Sequence, residues 1–206
     1  FKLQDSPRLH NYTDDGRRFL HDSDKSYDYI FSDVYYSFYS IPAHFTTQEF
    51  FATARGKLTP DGIFIANLIG DLSRQKPSLT MAELRTFQTV FPNSYVFATK
   101  SPSKVGPQNL ILVGYNSDKK IDVLSPAFAD YPDAILHTLG KNAVDINRFE
   151  LSAYPILTDN FSPVDQLTTR LLKSSIHTPE PPEGAEILAL VEQQLRYGPR
   201  YLSAPG

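Results

Sequence analysis

Residues Tyr27–Phe51 read YDYIFSDVYYSFYSIPAHFTTQEFF, and the fold turns on that stretch. Tyr27–Phe31 is an aromatic and β-branched run, which predicts a strand that delivers Ser32 and Asp33 to its C-terminal end. An aromatic segment closed by Pro42 follows, and then a helix start with its own signature. Thr46 is the predicted N-cap, Glu49 completes a capping box, and Phe45 and Phe50 occupy the staple positions of a helix over about 47–58. Strand, acid, loop, helix is the order in which open α/β sheets hold their ligands. Asp33 is therefore the first candidate functional residue, against the alternative of an aspartate that merely caps the next turn.

Outward from that stretch the pattern repeats. Upstream, LHNYT (9–13) is a short strand candidate, followed by Asp14-Asp15-Gly16 and a helical RRFLH ending near Asp22. Downstream, Pro60-Asp61-Gly62 predicts a turn, and GIFIANLI is the near-continuous apolar run of a strand buried on both faces. A second helix carries a capping box at Thr80 and Glu83, a staple at Leu79 and Leu84, and a core face of Leu84, Phe87 and Phe91. SYVFATK and NLILVGYN then form two strands joined by a linker too short for a parallel crossover, so they are predicted antiparallel. The order β-α-β-α-β-α-β-β predicts an α/β protein: a mostly parallel sheet with helices on its faces and a C-terminal antiparallel strand. Among α/β folds, that ending looks like the Rossmann-like, methyltransferase-type fold.

The expected organisation is a partial Rossmann-like catalytic domain over 1–118, a C-terminal helical extension of it over 119–178, and a linker with a terminal amphipathic helix over 179–206. Within the extension, LSPAFADYPDAILHTLG predicts a helix around 126–139. A further helix is marked by Ser162 as N-cap and Pro163 at its first position, with Val164, Leu167 and Leu171 as its buried stripe. HTPEPPEG is linker-like, and helix 185–196 would use Ile187, Leu188, Val191 and Leu195.

Composition narrows the chemistry. A formal charge of −3 lacks the basic footprint of a nucleic-acid binder, and the absence of cysteine rules out disulfides and thiolate metal sites. The histidines His10, His21, His44, His137 and His177 are scattered without ligand spacing, so no metal site is predicted. None of the 10 glycines forms a G-x-G pair, and no apolar run is long enough to span a membrane. The chain opens on Phe1, and Met81 is its single methionine; the expectation is of a protein lacking an N-terminal portion. Two acidic positions remain. Asp15-Gly16 on its own reads as a helix N-cap with a turn glycine, the functional alternative being a carboxylate that accepts from an adenine amino group. Asp33 at a strand end can orient a cationic amine and take its proton. Tyr35, Tyr36, Phe38 and Tyr39 could cage an ammonium or simply pack the loop onto the sheet.

Taken together, PRLHNYTDDGRRFL, the Tyr27–Phe51 stretch, TPDGIFIANL and YPILTDNFSPVDQL resemble, in order over roughly 5–170, the spermidine synthase (polyamine aminopropyltransferase) family. The resemblance is closest to bacterial spermidine synthase-like proteins, including those fused to membrane segments. It implies that Asp15 and Gly16 hold adenine as cofactor-binding residues and that Asp33 is catalytic. The implied co-substrate is decarboxylated S-adenosylmethionine or S-adenosylmethionine, with no tightly bound cofactor. The implied partner is a small-molecule amine. The implied setting is cytoplasmic, with tethering to the inner membrane through an upstream segment and a homodimer as further options. The family's loop usually reads Asp-x-x-Asp; here Tyr36 stands where the second acid belongs, which argues against spermidine itself as product. The glycine-rich loop and ribose-holding acid of the family would lie in a first β-α-β portion upstream of Phe1, and a chain without them is expected to be nearly inactive. Two alternatives accompany this reading: an S-adenosylmethionine-dependent methyltransferase, and a silent dimerisation or regulatory domain of a membrane-fused protein.

Overall fold

The computed structural model describes residues 7–35, 42–74, 76–128 and 139–169. Strands form at the predicted places: β1 (Tyr27–Ser32), β2 (Leu58–Gly70), β3 (Ser94–Ala98) and β4 (Gln108–Tyr115). They pair in the order β1-β2-β4-β3, with β1 parallel to β2, and β4 antiparallel to both β2 and β3. Three strands thus run one way, and the last in sequence is reversed and set between two of them. The Pro60-Asp61-Gly62 turn lies inside β2 as a bulge, because Tyr27 pairs with Leu58 while Tyr29 already pairs with Ile63.

Helices α1 (Gly16–Asp22), α2 (Gln48–Gly56) and α3 (Leu79–Val90) precede β1, β2 and β3 in turn. Both α2 and α3 pack on one sheet face through a run of aromatic contacts. Phe64 of β2 meets Phe50 and Phe51 of α2 with ring centroids at 6.1 and 5.9 Å, Phe87 of α3 at 5.9 Å, and Phe91 at 5.6 Å in a stacked arrangement. Phe64, Phe87 and Phe91 are 0% exposed, and each such burial is worth roughly 1.5–3 kcal/mol. The helix can approach this closely because Gly114 of β4 has no side chain: a Cβ there would sit 2.5 Å from Phe91 Cγ.

Several sequence expectations shift. GIFIANLI is buried through Phe64, Ala66 and Leu68, but Ile63, Ile65 and Ile69 on the opposite face are only half-buried, since the described helices pack on one side. LHNYT is no strand: residues 10–13 are exposed, and no described strand lies beside them to supply ladder hydrogen bonds. Helix α2 is capped by Thr47, whose Oγ1 accepts from the Phe50 N–H, whereas Thr46 ends a short 3-10 turn at Ala43–Phe45 and donates to the Ala43 carbonyl. Helix α3 starts earlier than expected, with Ser78 accepting from the Met81 N–H, so Thr80 and Glu83 do not cap it. The staple contacts survive in part, with Phe45 and Phe50 edge-to-face at 4.9 Å.

Beyond the sheet, residues 143–169 return to it. Val144, Phe149, Leu151 and Tyr154 join the main core, while Leu157, Val164 and Leu167 pack with Leu79 and Ala82 in a second cluster. Residues 164–169 are helical after Ser162-Pro163, as predicted. Of the helix expected around 126–139, the described parts are a 3-10 turn at Pro126–Phe128 and a helical turn that includes residue 139 and runs to 142. Tyr36, Phe38 and Tyr39, Leu171, the HTPEPPEG linker and helix 185–196 lie outside the described residues.

Candidate active site

Strand β1 places Asp33 directly after its last residue, at the C-terminal edge of the parallel pair. Two amides from neighbouring strands hold it there. Asn67 Nδ2 of β2 donates to Asp33 Oδ1 at 2.9 Å, and Asn109 Nδ2 of β4 donates to Asn67 Oδ1, also at 2.9 Å. An amide can give and accept at once, so the pair forms a directed chain ending on the carboxylate. Sequence reading missed both asparagines; the available signal was a polar residue interrupting an apolar strand run or standing ahead of one.

The second candidate caps a helix. Asp15 is the N-cap of α1, its carboxylate accepting from the Arg18 N–H at 2.8 Å. That backbone hydrogen bond, followed by the charge of His44, whose Nε2 lies 3.3 Å from Oδ2, holds the carboxyl below its ordinary value. The capping reading of Asp15 is thus realised. Gly16, next to it, opens onto a cleft of about 490 Å³ whose walls include Phe19, Phe31, Phe45 and Phe50, and whose far side carries Asp33. The structure therefore brings Gly16 and Asp33 to one largely apolar cleft, and Asp15 is not one of the residues that line it. Tyr29 and Phe31, 70% and 64% exposed, stand on its β1 side.

A third group, which the sequence reading did not single out, joins the start of α1 to the start of α2. Arg17 donates from Nη1 and Nη2 to both oxygens of Asp159, at 2.8 and 2.6 Å, and from Nη1 to the His44 carbonyl at 2.9 Å. Asp159 also accepts from the Thr47 hydroxyl at 2.8 Å, and its own N–H donates to Glu49 Oε2 at 3.0 Å. The Arg17 guanidinium holds the Asp159 carboxyl below its ordinary value, and Asp159 in turn raises Arg17. The LTDN turn at 157–160 thus ties the N-terminus of α1 to that of α2. Its signal was present in the YPILTDNFSPVDQL motif, but nothing local says which elements it would join. Among the described residues no group of three or more His, Asp or Glu could hold a metal ion, and no helix is long and apolar enough to cross a membrane.

A sheet with one reversed strand set inside it, and a cleft that follows its edge strand β1 from Tyr27 to Asp33, belong to an α/β protein of the methyltransferase-like class. Residues 2–122 match the spermine/spermidine synthase domain family, and the chain belongs to that family. The probable spermidine synthase of Corynebacterium glutamicum ATCC 13032 shares the fold, with a TM-score of 0.55 at 23% identity over 76% of this chain and 56% of that one. The spermidine synthase from Thermotoga maritima aligns with a TM-score of 0.45 at 19% identity, over 72% of this chain and 51% of that chain. The chain thus spans about half the length of these solved relatives. Over 83 residues it is also 31% identical to the N-terminal histidine N-methyltransferase of Emericella nidulans, covering 40% of this chain and 14% of that protein.

Proposed function

We propose that this chain is part of an aminopropyltransferase-like enzyme that binds an S-adenosyl-type nucleoside in the Gly16–Asp33 cleft and transfers an aminopropyl group to an amine. The observation that carries the reading is the shared cleft: residues whose sequence motifs lie apart line one apolar trough of about 490 Å³, with a carboxylate at one end. In this reading Asp15 and Gly16 hold the adenine of decarboxylated S-adenosylmethionine. The amine nitrogen attacks the aminopropyl methylene next to the sulfonium, the carbon–sulfur bond breaks, and methylthioadenosine leaves. Asn67 occupies one oxygen of Asp33, and the other is the one we assign to the attacking amine, whose proton it accepts. Because the sulfonium supplies the leaving group, the protein's part is alignment and local electrostatics.

Family membership supports this class of chemistry, and the loop composition qualifies the acceptor. No acidic residue lies between Asp33 and Glu49, so a diamine's distal ammonium would meet no carboxylate there. A monocationic amine is the better acceptor on that ground. Calorimetry with methylthioadenosine on the full-length protein tests the reading: binding that weakens about tenfold or more in Gly16→Val is expected, since side-chain bulk at the rim narrows the cleft. Absence of binding would sink it. The local likeness to a histidine methyltransferase supports a second reading, transfer of a methyl group from S-adenosylmethionine. Competition between the decarboxylated and carboxylated co-substrates separates the two.

A further inference from the structure

Glu83 lies in the middle of α3 with 2% of its surface exposed, a place where a carboxylate is rare unless it is paired. Its Oε1 accepts a hydrogen bond from the Tyr35 hydroxyl, 48 residues away in sequence. Its Oε2 is buried and has no hydrogen-bond partner among the described residues. Capping does not account for it, since Ser78 caps the helix. Simple packing does not account for it either, because an apolar side chain would fill the space without leaving a buried acceptor unmet. Tyr35 is the ionisable group that acts on the Glu83 carboxyl, and burial raises that carboxyl to about 7.

What the bond does is visible in the chain it restrains. Tyr35 follows Asp33 by two positions, and its ring packs against the main core beneath the sheet. A chain advances at most about 3.3–3.6 Å per residue, so pinning Tyr35 to α3 confines the Asp33 backbone to within about 7 Å of the pinned residue. From the other side, Asn67 fixes the carboxylate itself at 2.9 Å. We propose that Glu83 is a positioning residue for Asp33: by holding the Tyr35 hydroxyl it fixes the chain as it leaves β1, and so keeps the carboxylate on the Asn67 amide. The proposal rests on the assignment of Asp33 as the amine-orienting group and identifies what keeps that group aimed. A purely structural Glu83 would stabilise α3 and leave Asp33 untouched.

Nuclear magnetic resonance on the full chain tells these apart without reference to turnover. The side-chain amide signals of Asn67 report its bond to Asp33, and amide hydrogen exchange at Val34 and Tyr35 reports how firmly the chain is held. In Tyr35→Phe and Glu83→Leu the Asn67 signals should move, and exchange at Val34 and Tyr35 should quicken by about tenfold, the ratio expected for one lost hydrogen bond. Glu83→Gln keeps an acceptor for the tyrosine and should restore both readouts. A folded Tyr35→Phe protein with unmoved Asn67 signals would overturn the proposal. If Glu83→Leu does not fold, Tyr35→Phe decides by itself, because it keeps the ring and its burial. These signals remain readable even if methylthioadenosine does not bind, so failure of the positioning role and failure of the proposed function are separable.

Discussion

Helices α2 and α3 open with the same local signature, a threonine followed three positions later by glutamate, and neither uses it. In α2 the cap falls one residue later, on Thr47, and Glu49 turns outward to accept the N–H of Asp159, 110 residues away. In α3 the cap falls two residues earlier, on Ser78, and Glu83 turns inward beneath Tyr35. One acid fastens a surface strap and the other is buried in the protein. A capping signature locates a helix, but the tertiary partner decides what its glutamate does, because a long-range donor can displace a local bond worth about 1 kcal/mol.

The contrast can be broken at its widest point with pH. Burial raises the folded-state Glu83 carboxyl from an ordinary 4.5 to about 7. Below about 4.5 both states hold the proton. Between there and about 7 the unfolded chain ionises while the folded one keeps its proton, so stability present at low pH is lost as pH rises. The loss comes to roughly 3 kcal/mol. Denaturant titrations at pH 5 and pH 8 should show that loss in the parent protein and much less of it in Glu83→Gln.

The two caps sharpen the comparison next. Ser78→Ala should cost about 1 kcal/mol, and Thr47→Ala about 1.5, because Thr47 also holds Asp159. Asp159→Asn should cost about 1 kcal/mol by thermal melting, a figure already reduced for the partial exposure of the Arg17 pair. Since Arg17 depresses the Asp159 carboxyl, that contribution is present at neutral pH and lost as pH falls through its folded-state value. The smallest effect belongs to Glu49→Gln, a few tenths of a kcal/mol, because an amide oxygen still accepts the Asp159 N–H on an exposed surface.

What the sequence reveals follows the range of the forces involved. The places of β1 to β4 in the chain and the reversal of β4 were legible because apolar runs and short linkers are local facts; the insertion of β4 between β2 and β3 was not. The position of Asp33 was legible for the same reason, as the residue after a strand. LHNYT misled because a strand exists only beside a partner. Asn67 was visible as an odd residue in an apolar run and Asn109 as a polar residue ahead of one, yet their chain onto Asp33 depends on the register of three strands. Arg17 and Asp159 carried no mutual signal at all, since nothing near either residue names the other.

That last pair has a consequence in time. Its partners stand 142 residues apart, so the strap cannot close on a nascent chain until nearly all of the described sequence has been made. At cellular synthesis rates the interval is on the order of ten seconds, far longer than a helix or hairpin needs to form. During that interval α1 and α2 can dock but not lock. The ion pair is a late contact of the fold, and a chain interrupted before Asp159 would lack the bridge between the starts of α1 and α2.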